Sequence, residues 1–227
     1  MARRACALGR KLSGGARRTE NWMKAERRNA PGWRWQDDAV GAKFMDEKNI
    51  CRRVHGLHDF RLDGISDLLM RARGASVLDV GCNKGHAAWD FFANGARLVY
   101  GCDIDAPSIQ TARYWFAEIP GVESRFEVVD LTKPGAMVNA FGNDAFDIVL
   151  FIGVYHKLVR IMDRQSLDHL LLDLGIRALH YFAFMGYPEH LATIDQAMAK
   201  CRLTRIHMSE LAFPGRPAAI YKKDVKK

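Results

Sequence analysis

The sequence predicts an α/β fold, a three-layer sandwich whose mostly parallel seven-stranded sheet ends in an antiparallel hairpin. Three observations carry the prediction. Five short apolar runs alternate with segments of helical period between about residue 76 and residue 200. The first run, Ser76 to Val80, breaks into a glycine-bracketed turn, Gly81-Cys82-Asn83-Lys84-Gly85, and a helical pattern starts at once. The last two strand-like runs, Leu203 to Met208 and Ala218 to Tyr221, are joined by Pro214-Gly215-Arg216-Pro217 with no helix between them, as an antiparallel pair at a sheet edge requires.

Taken in order, residues 1–20 are basic and Gly-rich and lack a core-forming period, which predicts a disordered arm. Residues 21–58 hold Trp22, Trp33 and Trp35 around Pro31-Gly32 and predict a segment that covers one edge of the domain or forms a lid over its mouth. The main domain then runs from 59 to 227. Phe60 to Arg73 carries Ile65, Leu68, Leu69 and Ala72 on one face and closes at Gly74, a helix leading into the first strand. The helix after the turn stops at Asn94-Gly95, and Leu98 to Cys102 is the second strand, ending in Asp103. Asp105 suits an N-cap, with Pro107 in the first turn of the next helix. Arg125 to Val129 reads as a third strand ending in Asp130, followed by a weak helix within 132–142. Phe146 to Ile152 is a buried fourth strand. A helix capped near Asp163 places Leu167, Leu170, Leu171 and Leu174 inside, with Gly175 as its stop. Ala178 to Met185 is the fifth strand, and Pro188 opens a helix with Leu191, Ile194 and Met198 inward.

Charge and cysteines narrow the function. The net charge is +8, and residues 1–35 alone hold ten Lys/Arg against two Glu, so the rest of the chain is neutral. The excess therefore belongs to the arm, which reads as a solvated tail, an electrostatic tether for RNA or an acidic membrane, or an Arg-rich organelle presequence. Five scattered cysteines without a Cys-x-x-Cys pair argue for a reducing, cytoplasmic setting and against a disulfide framework or zinc site. His55-x-x-His58 and His86 lack a carboxylate partner at ligand spacing, so no metal is expected. Lys84 and His86, beside the turn, are expected to be solvated. Asp147 and Asp173 read as strand-edge and helix-surface charges. No apolar run approaches the length of a membrane span.

Strand, tight loop and helix together make a nucleotide site. Glycine lets the backbone turn sharply and approach a ligand, while the next helix directs its free N–H groups at whatever sits there. Asp103, at the end of the second strand, is placed to accept hydrogen bonds from the hydroxyls of a ribose. A nicotinamide-binding dehydrogenase uses the same physics. It would want a third glycine opening the helix, which this chain lacks, and a second nucleotide half.

Val77 to Gly85, Gly101-Cys102-Asp103-Ile104-Asp105, Val128-Val129-Asp130 and Phe146 to Leu150 stand in an order that resembles the motif set of class I S-adenosylmethionine-dependent methyltransferases. The likeness spans about residues 60–224 and includes the terminal hairpin, so it implies the Rossmann-like methyltransferase fold, with 59–227 as the catalytic domain. It further implies that Asp79, Gly81, Cys82, Asn83 and Gly85 shape the pocket for the methionine part of S-adenosyl-L-methionine. Asp103 would hold the ribose with Ile104 against the adenine, Asp130 would meet the adenine amino group beside Leu131, and Phe151 and Ile152 would line the floor. Asn83 departs from the commoner glycine, although asparagine tolerates a left-handed backbone better than most residues.

Methyl transfer is an in-line displacement, so the protein must align the partners, exclude water and, for a protonated acceptor, supply a base. His156, in Gly153-Val154-Tyr155-His156-Lys157, is the candidate base or orienting group, its alternative being a structural strand-end histidine, and Tyr155 is the candidate pocket wall. No Asn/Asp-Pro-Pro-Tyr/Phe tetrapeptide follows the fourth strand, and no cysteine occupies a nucleophile position. These absences argue against exocyclic-amine and covalent pyrimidine C5 methylation, while the neutral domain, compact length and lack of a recognisable RNA-binding module favour a small-molecule acceptor, with oxygen ahead of nitrogen or carbon if His156 is the base. An RNA acceptor held through the basic arm is the alternative, and a non-catalytic cofactor-binding partner protein a second. Oligomeric state is left open by the sequence.

Overall fold

The computed structural model describes residues 62–117, 121–213 and 216–224. The basic arm, the Trp22–Trp35 segment, His55 and His58 lie outside them. A seven-stranded sheet has the order β3-β2-β1-β4-β5-β7-β6, with β1 Ser76–Val80, β2 Leu98–Asp103, β3 Glu123–Val128, β4 Phe146–Ile152, β5 Ala178–Met185, β6 Leu203–Phe213 and β7 Arg216–Lys223. Strands β1 to β5 pair in parallel and β7 is antiparallel to both β5 and β6. The order reverses beside β1, between its two neighbours β2 and β4. At such a switch point the loops leaving the strand ends diverge and open a crevice.

Alternation along the strands builds both faces. In β4, Val149 and Phe151 point to one side and Ile148 and Leu150 to the other, while an irregularity in the pairing between Phe146 and Ile148 puts Phe146 with the first pair. The first side is covered by α3 Ala136–Phe141, α4 Tyr155–Leu158, α5 Arg164–Arg177 and α6 Leu191–Lys200. The second is covered by a 3-10 helix, Asp63–Arg71, with α1 His86–Ala93 and α2 Ala106–Phe116. The predicted leading helix is thus of the tighter 3-10 kind; it buries Ile65 and Leu68, with Ala72 buried at its C-cap, while Leu69 is only half-buried.

The caps follow the sequence. Asp105 accepts from Ser108 N at 3.1 Å and Asp163 from Ser166 N at 2.9 Å, each satisfying an N–H that the first turn leaves open. Gly175 does not stop its helix. The helix continues to Arg177, and Gly175 sits where a Cβ would come 2.7 Å from Cys201 Sγ, so its absent side chain serves the close packing of α5 on α6.

Asp147 and Asp173, at the start of β4 and on the surface of α5, both stay half-buried and have structural partners. Asp147 Oδ2 accepts from both the backbone N and the Oγ of Ser76 at 2.8 Å, and Ser76 Oγ accepts from Asp147 N at 2.9 Å, a reciprocal clasp that sets the start of β1 against β4. Asp173 receives Arg177 Nε at 3.0 Å, and this guanidinium, 3% exposed, donates onward to the carbonyls of Gly142 and Asp144. Both are part-exposed charges that also fasten the structure. Among the described residues no helix is long and apolar enough to cross a membrane.

Candidate active site

The turn after β1 folds as its residue types demand. Gly81, Asn83 and Gly85 all have positive φ, at 81°, 51° and 78°, the left-handed region in which glycine is unstrained and asparagine is tolerated. Gly81 N and Cys82 N both donate to Cys102 O, at 2.7 and 2.9 Å, which pins the turn to the end of β2. Gly81 is also constrained by its neighbour, since a Cβ there would overlap Val154 Cγ2.

Asp103 draws the turn and the second loop together. Its two carboxylate oxygens accept from Asn83 N at 2.9 Å and Asp105 N at 3.0 Å. A carboxylate has about four acceptor positions, so two backbone donors orient it and leave capacity for hydroxyl donors. Beside it Ile104 is 66% exposed, a large apolar side chain facing solvent where a planar base has a surface to lie on. Asp130 accepts from Thr132 N at 3.0 Å and Thr132 Oγ1 at 2.6 Å, with Lys133 Nζ at 3.8 Å. These contacts, the Thr132 hydroxyl foremost, hold its carboxyl below the usual range.

Several candidates sit deeper than a ligand-lining role suggests. Asp79, Cys82 and Leu131 are buried, and Phe151 has no exposed surface, packing against Tyr155 and Phe184, whereas Ile152 is half-buried. The side chain of Phe151 therefore belongs to the core. Burial pushes the Cys82 thiol well up and raises that of Cys102 to about 12, so neither is a thiolate near neutral pH. His86 departs from the solvated position expected of it. Opening α1 turns its ring inward, 6% exposed, edge-on to Trp115 at 5.0 Å, while Lys84 stays half-exposed.

At the tip of β4, Tyr155 is 3% exposed and makes edge contacts with Phe184 and His190, so its ring is a wall. His156 is 8% exposed, and its Nδ1 is buried with no hydrogen-bond partner among the described residues. Burial, then the charges of Arg216, Lys157, Arg160 and His190, keep its pKa below the ordinary 6.5. Three neighbours of His156 escaped the sequence reading: Tyr187 and His190, which follow β5, and Arg216, which opens β7. The signal was present in the hairpin itself. An antiparallel β7 must begin where the parallel strands end, so Arg216 and Pro217, its first residues, arrive at the same rim as the β4 tip. Among the described residues no group of acids, histidines and cysteines has the arrangement to hold a metal ion.

Residues 77–171, from β1 into α5, match the family model of a methyltransferase domain. That match, with the fold likenesses below, supports the resemblance to class I S-adenosylmethionine-dependent methyltransferases. Among solved structures, magnesium protoporphyrin IX methyltransferase from Synechocystis, with bound S-adenosylmethionine, superposes at TM-score 0.55 with 16% identity, over 86% of this chain and 100% of that one. A TehB-like methyltransferase from Corynebacterium glutamicum gives TM-score 0.54 and 19% identity, over 78% of this chain and 97% of that one. At these identities the likeness is one of fold. Among curated relatives, a ubiquinone biosynthesis O-methyltransferase of Alkalilimnicola ehrlichii is 33% identical over 76 residues, which are 34% of this chain and 30% of that one. A tRNA U34 carboxymethyltransferase of Shewanella baltica is 28% identical over 150 residues, 63% of this chain and 42% of that one. The chain spans less than half the length of these curated relatives.

Proposed function

We propose that the protein transfers a methyl group from S-adenosyl-L-methionine to a small-molecule acceptor, at oxygen in preference to nitrogen or carbon. The observation that carries this reading is the juxtaposition of Asp103, already oriented by Asn83 N and Asp105 N, with the solvent-facing Ile104 at the switch point of the sheet. An acid with acceptor capacity next to an uncovered apolar surface fits an adenosine, the acid for the ribose and the apolar surface for the base. The left-handed turn at Gly81, Asn83 and Gly85 lets backbone approach the amino-acid part, with Asp79 and Cys82 shaping the wall beneath. Asp130 and Leu131 border the adenine end, and Ile152, with the backbone of Phe151, the floor.

When bound, the cofactor supplies an electrophilic methyl on a sulfonium. The chain's own work is alignment and proton management. His156, kept neutral at pH 7 by burial and its cationic neighbours, has an imidazole nitrogen able to take a proton from an acceptor hydroxyl. Tyr155 walls the site and excludes water from that side. Replacing Asp103 by alanine removes the ribose acceptor and loosens the turn that Asn83 N helps to hold. Calorimetry should show S-adenosylmethionine affinity falling by about 10- to 100-fold, a loss of about 1.4–3 kcal/mol; unchanged affinity refutes the ribose role.

An RNA acceptor is the second reading. It is favoured by the ten basic residues within 1–35 and the likeness to tRNA U34 carboxymethyltransferases. Release of S-adenosylhomocysteine in a metabolite mixture, compared with release in a tRNA preparation, separates the two. Binding without release in either marks a non-catalytic cofactor-binding protein.

A further inference from the structure

One guanidinium, two imidazoles and two phenol rings converge on the β4 tip from three elements. Arg216, at the start of β7, lies with Cζ 4.9 Å from the Tyr187 ring centroid, and its Nη2 donates to Tyr187 Oη at 3.2 Å. A Cβ on Gly153 would stand 3.9 Å from Arg216 Nη1, so the guanidinium borders the loop that carries His156. The His156 ring meets Tyr187 edge-on at 5.3 Å, and His190 faces Tyr155 and Tyr187 at 5.0 and 6.2 Å. Independently, His156 Nδ1 is a polar atom in a side chain more than nine-tenths buried, without a hydrogen-bond partner among the described residues. A buried polar atom left in that state costs free energy unless a ligand meets it.

We propose that these residues form an anion subsite: the methyl acceptor carries a carboxylate or phosphate that docks on Arg216, which places the acceptor's hydroxyl at His156. The inference rests on the methyl-transfer reading and names the class of acceptor it takes. A guanidinium stacked on an aromatic ring and tied to that ring's hydroxyl is held in orientation before any ligand arrives, so an incoming anion loses little to side-chain ordering. Arginine also matches the two oxygens of a carboxylate or phosphate in a planar, paired geometry. Tyr187 is then a positioning residue for Arg216, and His190 adds a second imidazole to the rim.

The test uses the full chain saturated with S-adenosylhomocysteine, so that the cofactor's own carboxylate is already seated. Inorganic phosphate and 4-hydroxybenzoate are titrated in separate arms while the imidazole NMR signals of His156 and His190 are followed, assigned with His156→Gln and His190→Gln. At least one arm should give saturable shifts, and the stronger arm identifies the anion. Arg216→Gln should weaken that binding by about tenfold or more, Arg216→Lys should retain part of it, and S-adenosylhomocysteine affinity should be unchanged in both. Indifferent signals in both arms, or shifts that survive Arg216→Gln, overturn the proposal. So does a loss of S-adenosylhomocysteine affinity in Arg216→Gln, which would assign the guanidinium to the cofactor. A tRNA arm moving the same signals at far lower concentration than either small anion overturns the small-acceptor form. Absence of S-adenosylhomocysteine binding by the unmodified protein is a separate result that brings down the methyl-transfer reading itself.

Discussion

His156 joins burial, a cationic neighbourhood and a ring nitrogen without a hydrogen-bond partner among the described residues in one side chain. Its folded pKa is depressed, first by burial and then by Arg216, so the neutral form is favoured in the native state. Between the folded value and the ordinary 6.5 the unfolded chain binds more protons, so stability rises with pH through that window. The contribution is complete above about 6.5 and is lost as pH falls through the folded value. Two outcomes follow. His156→Ala should keep cofactor affinity while lowering kcat by about 100-fold or more, the usual range for a general base; full turnover would leave the residue a purely structural role. In the unmodified protein the acid limb of the kcat/KM profile should lie below 6.5, and an Arg216→Gln variant should shift it upward, because the second-largest cause of the depression is gone.

Among the secondary elements, the joint between α5 and β5 depends on a buried guanidinium. Arg177 bonds Asp173 within its own helix and reaches the carbonyls of Gly142 and Asp144 in the turn before β4. Arg177→Ala should lower unfolding free energy by about 3 kcal/mol in urea titrations, since removal strands two carbonyls and leaves a void. Arg177→Lys should rescue little, because a point charge cannot reproduce the fork. The alternation of strand and helix, the caps at Asp105 and Asp163 and the closing hairpin were all legible in the chain, because each rests on periodicity or on local hydrogen bonding. What escaped depends on distant partners. Gly175 looked like a helix stop, and only the approach of Cys201 shows why it lies within the helix. His86 looked solvated until Trp115, twenty-nine positions further on, came to lie against it. Similarly, the turn at Gly81 and the acid at Asp103 could be read directly, whereas Arg216 joins Tyr187 and His156 through sheet topology alone.

In the molecule as a whole, the crevice lies where β2 and β4 leave the opposite sides of β1, so a ligand there touches loops from several strands at once. Binding should therefore raise the stability of the entire sheet rather than order one loop. At a ligand concentration about 100 times Kd the linkage is about 2.7 kcal/mol. For a domain of this size that corresponds to a Tm increase of about 5–10 °C in S-adenosylmethionine, measurable by calorimetry and absent with adenine alone at the same concentration. The touch between Gly81 and Val154 has a consequence for inheritance. These positions are seventy-three residues apart in the chain, yet neither can enlarge without the other yielding. Gly81→Ala carries a backbone cost at φ 81° and a steric cost against Val154, together about 2–4 kcal/mol. Val154→Ala can act as a suppressor of the second cost alone. Denaturation of the two single variants and the pair should show partial rescue, and lineages that drift at one site should show a matching exchange at the other.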